Sequence, residues 1–386
     1  MKKDLLKIRL IYFFINLFLM GINFIYSIFF LIYLSIKKRY AIICWCFLFG
    51  SFAAFSSINQ NYNLDIVSYY QKYEYIKNLN WNQYQEIFKV INGRELYIYI
   101  LLILLKAFSL PKEAIPFISN FLTYFFLLKT WIISHKNIKK DNLFYFLFSF
   151  FLIPWNSFLG VRFYLGATVL IYTLVYYYIN KKILKKYLIL SFLIHYSLLF
   201  PIIIFLLYKL NFKIYKLIIK NKKMMFFICY IIGNLNLSEK FYFILSRIGI
   251  DKILLETYLN GKFGIQFMDE LSFLHYIFNI FEKNMFILIF FTFIFFNRIK
   301  INGFITIYIL INMILQQYRT IFERNSLIII SLIFFINLKT KKKIIYFYIF
   351  IVMLGIQIVN LKIQGVILLP FYKYSFLYRI LDYCNN

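Results

Sequence analysis

Charge is what this sequence has least of. Asp, Glu, Lys and Arg make up 15% of its 386 residues, against roughly a quarter in a soluble domain. Acid is scarcer than base: 15 Asp and Glu stand against 44 Lys and Arg. That deficit excludes an ordinary soluble domain. Histidine is nearly absent, with three in the chain, and no ligand-spaced cluster forms. The expectation is therefore a chain that uses no metal and no cofactor. The four cysteines, Cys44, Cys46, Cys229 and Cys384, fit neither a zinc site nor a disulfide framework. Cys44 and Cys46 lie in an apolar segment and read as membrane-embedded thiols. P-loop, GxGxxG, GxSxG and HExxH templates are all missing. The only adjacent acidic pair is Asp269–Glu270. The paired acids of a metal-dependent sugar transferase are thus missing from the first polar loop.

What is present is apolar surface. Hydrophobic residues make up 62% of the chain and the mean hydropathy is +0.73. Apolar runs long enough for a bilayer, roughly twenty residues each, recur along the whole length. The alternating ten-residue segments of a transmembrane barrel do not occur. The fold class expected is all-α: a polytopic membrane protein with about 10–13 transmembrane helices and two larger polar loops. The runs lie near 10–36, 40–58, 96–110, 114–134, 143–160, 163–180, 187–208, 224–237, 285–297, 302–318, 325–338 and 344–361. A weaker segment lies near 271–281. No fixed-period repeat and no soluble domain interrupts them, so residues 1–386 read as one membrane domain. The run from Leu10 to Ile36 is too long for a signal peptide and reads as a first span.

The net charge of +29 comes with an excess of Phe, Tyr, Ile, Lys and Asn of the kind an AT-rich genome produces. It reads as lysine drift at tolerant cytoplasmic sites, not as a nucleic-acid surface. Nine arginines against 35 lysines make arginine the more informative cation. The basic clusters at 136–140 and 181–186 are separated by two spans, so both fit the cytoplasmic side. The 160–163 turn, with Arg162, then faces outside. The remaining clusters do not fit the same count, with one span between Arg9 and Lys37, three between Arg39 and Lys136 and one between Lys186 and Lys209, so either some segments are re-entrant or the first two clusters, Lys2–Arg9 and Lys37–Arg39, break the rule.

Two polar stretches, residues 59–95 and 236–283, hold most of the acidic residues. The first is rich in Tyr, Asn and Gln. It carries Asp65, Tyr69, Tyr70 and Tyr73 in DIVSYYQKY, and closes on Arg94 and Glu95. Such loops often carry function. Asp65 is either a general base or a solvated carboxylate.

Three further places could carry chemistry. Arg162 opens a long uncharged run, with Gly166, Ala167 and Thr168 a turn later. Small residues allow close approach of a helix or ligand, and a membrane arginine is costly enough to imply function. The bland alternative is an arginine that snorkels to headgroups. His195 lies about nine residues into the 187–208 run and cannot easily reach an interface. It is either a site residue or a partner to a neighbouring helix. Arg319, Glu323 and Arg324 share one turn in QQYRTIFERNSLIIISL. They read as an i,i+4 ion pair or, with two guanidiniums to one carboxylate, as a phosphate binder.

The order of these features resembles the EpsG-type branch of the Wzy-like bacterial surface-polysaccharide polymerases, over roughly residues 60–340. The matching positions are Asp65 with Tyr69, Tyr70 and Tyr73, then Glu95, then Arg162 with Gly166 and Ala167, then His195-x-Ser197, and last Glu323–Arg324. The family pattern is D-Y-x-x-Y, E-x-G-F, I-R-Q-x-L-A and F-H-x-S-A. Here Ile66 follows Asp65 instead of Tyr, the Gly after Glu95 is missing, Phe163 replaces Gln, and Leu198 replaces Ala. The resemblance implies an enzyme at the outer face of the bacterial cytoplasmic membrane. It would join polyprenyl-pyrophosphate-linked oligosaccharide repeat units by glycosyl transfer into O-antigen, capsule or exopolysaccharide. It implies Arg162, His195, Asp65 and Glu95 as catalytic residues. Arg319, Arg324, Glu323, Tyr69, Tyr70 and Tyr73 would bind pyrophosphate and sugar. Partners would be lipid-linked glycans and membrane lipids, with room for a chain-length regulator and none for nucleic acid. A lipid-linked oligosaccharide flippase or exporter, a polytopic lipid-phosphate-sugar glycosyltransferase and a membrane acyltransferase are the alternatives.

Overall fold

The structure is a computed structural model. It describes residues 11–19, 24–37, 41–58, 64–83, 85–86, 96–135, 149–150, 152, 161–210, 213–235, 273–295 and 302–337. Among these, every regular element is helical. The chain divides into two compact units, residues 1–198 with 360–386, and residues 199–359. Each is considered by itself.

In the first unit the helices are α1 (Phe24–Lys37), α2 (Ala41–Ile58), α3 (Leu64–Asn78), α4 (Leu96–Ala107), α5 (Ala114–His135), α6 (Phe163–Asn180) and α7 (Lys185–Ile194). Two are long and apolar enough to cross a membrane: α5 over Ala114–Ser134, and α6. Helix α6 is the centre, packed between α5 and α7. Its residues from Leu165 to Val175 are all buried, which marks a helix enclosed on every side. Its hydroxyls stay satisfied there by bonding back along the helix. Thr168 donates to the Leu165 carbonyl at 2.9 Å and Thr173 to that of Val169 at 2.8 Å. Helix α6 stops at Lys181, whose backbone is left-handed (φ 58°) and whose N–H closes the last turn on the Tyr177 carbonyl at 2.8 Å, an αL cap.

Two expectations change here. The Tyr-rich stretch read as a polar loop is helical over Leu64–Asn78. It buries Ile66, Tyr69, Tyr73 and Ile76 against Ile98, Leu101, Leu102 and Leu105 of α4. The run 187–208, read as one span, is broken. Helix α7 ends at Ile194, His195 is extended, and residues 196–198 form a single 3-10 turn before α8 (Leu199–Lys209) begins. Pro201 explains the break: it lacks an N–H and its ring would collide with the carbonyl four residues earlier in a continuous helix. It sits instead in the first turn of α8, where no N–H is needed.

The second unit contains α8, α9 (Lys213–Lys220), α10 (Lys222–Asn234), α11 (Phe273–Phe295), α12 (Gly303–Ile314) and α13 (Arg319–Asn337). The weak segment at 271–281 and the span at 285–297 are one continuous helix, α11. Helix α12 is central, against α8, α9, α10 and α13. Its polar residues face inward. Tyr308 donates to Asn325 Oδ1 at 2.6 Å, and Asn312 Nδ2 donates to Ser326 Oγ at 2.9 Å. Apolar residues face outward at helical spacing: Ile203, Leu206 and Leu207 along α8, with Leu210 just past its end, and Met224, Phe227, Ile228 and Ile231 along α10, with Leu235 just past its end, are exposed. The distribution inverts that of a soluble bundle. The runs at 143–160 and 344–361 lie largely or wholly outside the described residues.

Candidate functional site

Arg162 stands at the N-cap of α6, and its own side chain makes no cap hydrogen bond there. The guanidinium lies over the ring of Tyr69 on α3, 5.5 Å from its centroid. The negative face of the ring holds the cation in position. Tyr69 is itself set by packing: 3% exposed, it belongs to the apolar cluster that joins α3, α4 and Val161.

Helix α3 is tied down at both flanks. Lys106 of α4 donates to the carbonyls of Ile76 (2.9 Å) and Leu79 at its C-terminal end. A cation on these terminal carbonyls also opposes the helix dipole. Tyr73 donates to the Leu110 carbonyl. Burial, with Glu74 and Glu113 adding to it, pushes the Tyr73 hydroxyl above its ordinary pKa and keeps the donor proton on. Lys112 reaches Glu74 at 3.7 Å and lies 5.5 Å over the ring of Tyr70.

His195 lies beside the residue that follows Arg162. The ring of Phe163, the first residue of α6, meets the imidazole edge-on with centroids 5.5 Å apart. Gly166 makes the approach possible. A Cβ there would lie 2.5 Å from Leu198 Cδ1 and 3.2 Å from the Ser191 carbonyl. That carbonyl accepts the His195 N–H at 3.1 Å. The imidazole Nδ1 lies 3.3 Å from the Ser197 backbone nitrogen and 2.7 Å from Ser197 Oγ. A backbone N–H only donates, so Nδ1 is the accepting nitrogen. In the neutral ring the proton is then on Nε2.

The structure thus sets Arg162 over Tyr69 and, at the next residue of the chain, Phe163 against His195. Phe163, Ser197 and the α3 anchors Lys106 and Lys112 complete the neighbourhood. Sequence periodicity carried no signal for the anchors. Tyr69 and Tyr73 face inward and are 3% and 1% exposed, so neither offers a ring face to a sugar; Tyr70 is only half-buried. Asp65 is in the first turn of α3, but its side chain and all of Glu95 lie outside the described residues. Arg319, Glu323 and Arg324 open α13 in the second unit. Glu323 and Arg324 are half-buried, and the side chain of Arg319 is outside the described residues. Compared with protein-family models, with curated proteins and with solved structures, the chain gives no match.

Proposed function

We propose that this chain is a membrane-embedded polymerase of lipid-linked glycans, with its reaction centre at Arg162. The observation that carries the reading is the cation held at the head of α6 by the Tyr69 ring, with the His195 imidazole against the ring of the next residue, Phe163. The outward apolar rows of α8 and α10, and the two candidate spans, support membrane embedding. The 160–163 turn is then at the outer face by the basic clusters that flank it.

The chemistry asked of such a site is modest. The acceptor hydroxyl oxygen attacks the anomeric carbon of the donor repeat unit. The bond from that carbon to the pyrophosphate oxygen breaks, and the lipid pyrophosphate leaves with the electron pair. The leaving group needs cationic stabilisation as its charge grows. Arg162 supplies a permanent, bidentate cation. His195, with its proton on Nε2, donates to an oxygen that is becoming negative. The acceptor hydroxyl proton then passes to a carboxylate, and Asp65 and Glu95 are the residues for that role.

The test is the surface-glycan ladder of cells lacking the gene and restored with wild type, Arg162→Ala, Arg162→Lys, Tyr69→Phe or Tyr69→Leu, at equal membrane abundance. Single repeat units in the deletion, with long chains returning for wild type and Tyr69→Phe, are expected. Arg162→Ala should return none, and Arg162→Lys and Tyr69→Leu should return shortened ladders. Full ladders with Arg162→Ala would return that residue to a headgroup anchor. A deletion that loses even the single unit would point to a flippase or a glycosyltransferase.

A further inference from the structure

Six lysines, Lys209, Lys213, Lys216, Lys220, Lys222 and Lys223, fall between residues 209 and 223, and no Asp or Glu occurs from Leu199 to Leu235. The helix they surround, α9, is eight residues long. At about 100° per residue, positions 216 and 220 lie about 40° apart on its circumference, with position 213 about 20° beyond. Leu217, about 40° past position 213, and Ile219, about 60° before position 216, flank this row.

The two flanks meet different surroundings. Ile219 is inward: a Cβ on Gly303, at the start of α12, would lie 2.6 Å from Ile219 Cδ1 and 3.1 Å from the Tyr208 ring. Tyr208 in turn donates to Asn302 Oδ1 at 3.1 Å, and the same oxygen caps α12 by accepting from the Phe304 N–H. Leu217, on the opposite flank, is 62% exposed. Lys216 and Lys220 are exposed between them. Helix α9 is thus docked on one side, with a basic row and an apolar flank turned outward. The exposed apolar rows of α8 and α10 adjoin it at Leu210 and Met224. Lys223 lies 5.6 Å over the ring of Phe295. No carboxylate occurs in α8, α10 or α12, the helices packed on α9 and its neighbours.

We propose that α9 is an interfacial helix that binds the phosphate headgroups of anionic phospholipid through Lys216 and Lys220, with Leu217 in the acyl boundary. A basic row beside an apolar flank is the pattern of a helix lying in the membrane surface. A soluble polyanion such as RNA would gain nothing from the apolar flank. The inference rests on the membrane embedding proposed above and not on the polymerase chemistry.

The experiment uses the full chain in nanodiscs of phosphatidylcholine with a minor share of phosphatidylglycerol, followed by detergent release and native mass spectrometry of retained lipid. The wild type should retain phosphatidylglycerol in preference. Lys216→Gln/Lys220→Gln should lose that preference by at least roughly fivefold, the effect of about one lysine at an anionic surface. The matching Lys→Arg double variant should keep it. Equal retention by the glutamine double variant, no preference in the wild type, or displacement of the lipid by RNA would overturn the proposal. A chain that cannot be incorporated into nanodiscs would instead sink the membrane reading. Loss of lipid preference with normal glycan ladders would leave the polymerase reading standing.

Discussion

A Cβ at Gly166 would lie 2.5 Å from Leu198 Cδ1, so the Leu198 side chain, from the turn after His195, packs directly on the backbone of the first turn of α6. Gly166→Ala should destabilise the protein in detergent by about 1–3 kcal/mol through overpacking, and Gly166→Val by more. Leu198→Ala should recover part of the loss in the double variant, because the two changes share one space. Thermal unfolding of the four proteins of that cycle checks it. Additive losses would mean the two sites do not touch.

His195 holds its accepting nitrogen against Ser197, which leaves Nε2–H as the chemically useful end. A glutamine amide nitrogen reaches about as far as Nε2, and an asparagine amide nitrogen falls near Nδ1. His195→Gln should therefore keep shortened glycan chains, and His195→Asn should abolish them. Equal loss in both would fit a base at Nε2 and contradict the donor role. Ser197→Ala should cost less than either, because the backbone N–H still fixes the ring.

Lys106 bonds to two carbonyls at the end of α3. Lys106→Met should leave those groups with no cation and fray the helix, at a cost of about 1–3 kcal/mol. Limited proteolysis near Leu79 and Asn80 should speed up, and glycan length should fall because α3 carries Tyr69. Unchanged cleavage would remove Lys106 from the positioning of Arg162.

Asn312 donates to Ser326 and to the Phe322 carbonyl, while its Oδ1 is buried without a hydrogen-bond partner. An unmatched buried acceptor offsets much of what the two donated bonds contribute. Asn312→Leu should therefore cost no more than about 1 kcal/mol, towards the low end for interhelical bonds in membranes. Denaturation in mixed micelles measures this. A loss of several kcal/mol would mean that Oδ1 has a donor in the membrane-bound protein.

The sequence by itself determined the helical class and much of where the helices run. Runs of apolar residues demand internally bonded backbone, and α5 and α6 follow their runs closely. It also marked Arg162 as the residue that opens α6, since a lone cation at the head of an uncharged run is a local signal. Pro201 was there to announce the break beside His195, but the apolar run on both sides masked it. Glu282 and Lys283 made α11 look like two segments. The fold accommodates Glu282 at 8% exposure, which composition could not reveal. Only the tertiary structure decided that Tyr69 lies beneath Arg162 and that His195 meets Phe163. Periodicity reports which residues of one helix share a face. In a chain whose helices are apolar on nearly every side, it cannot say which faces meet; side-chain volume and gaps such as Gly166 decide that.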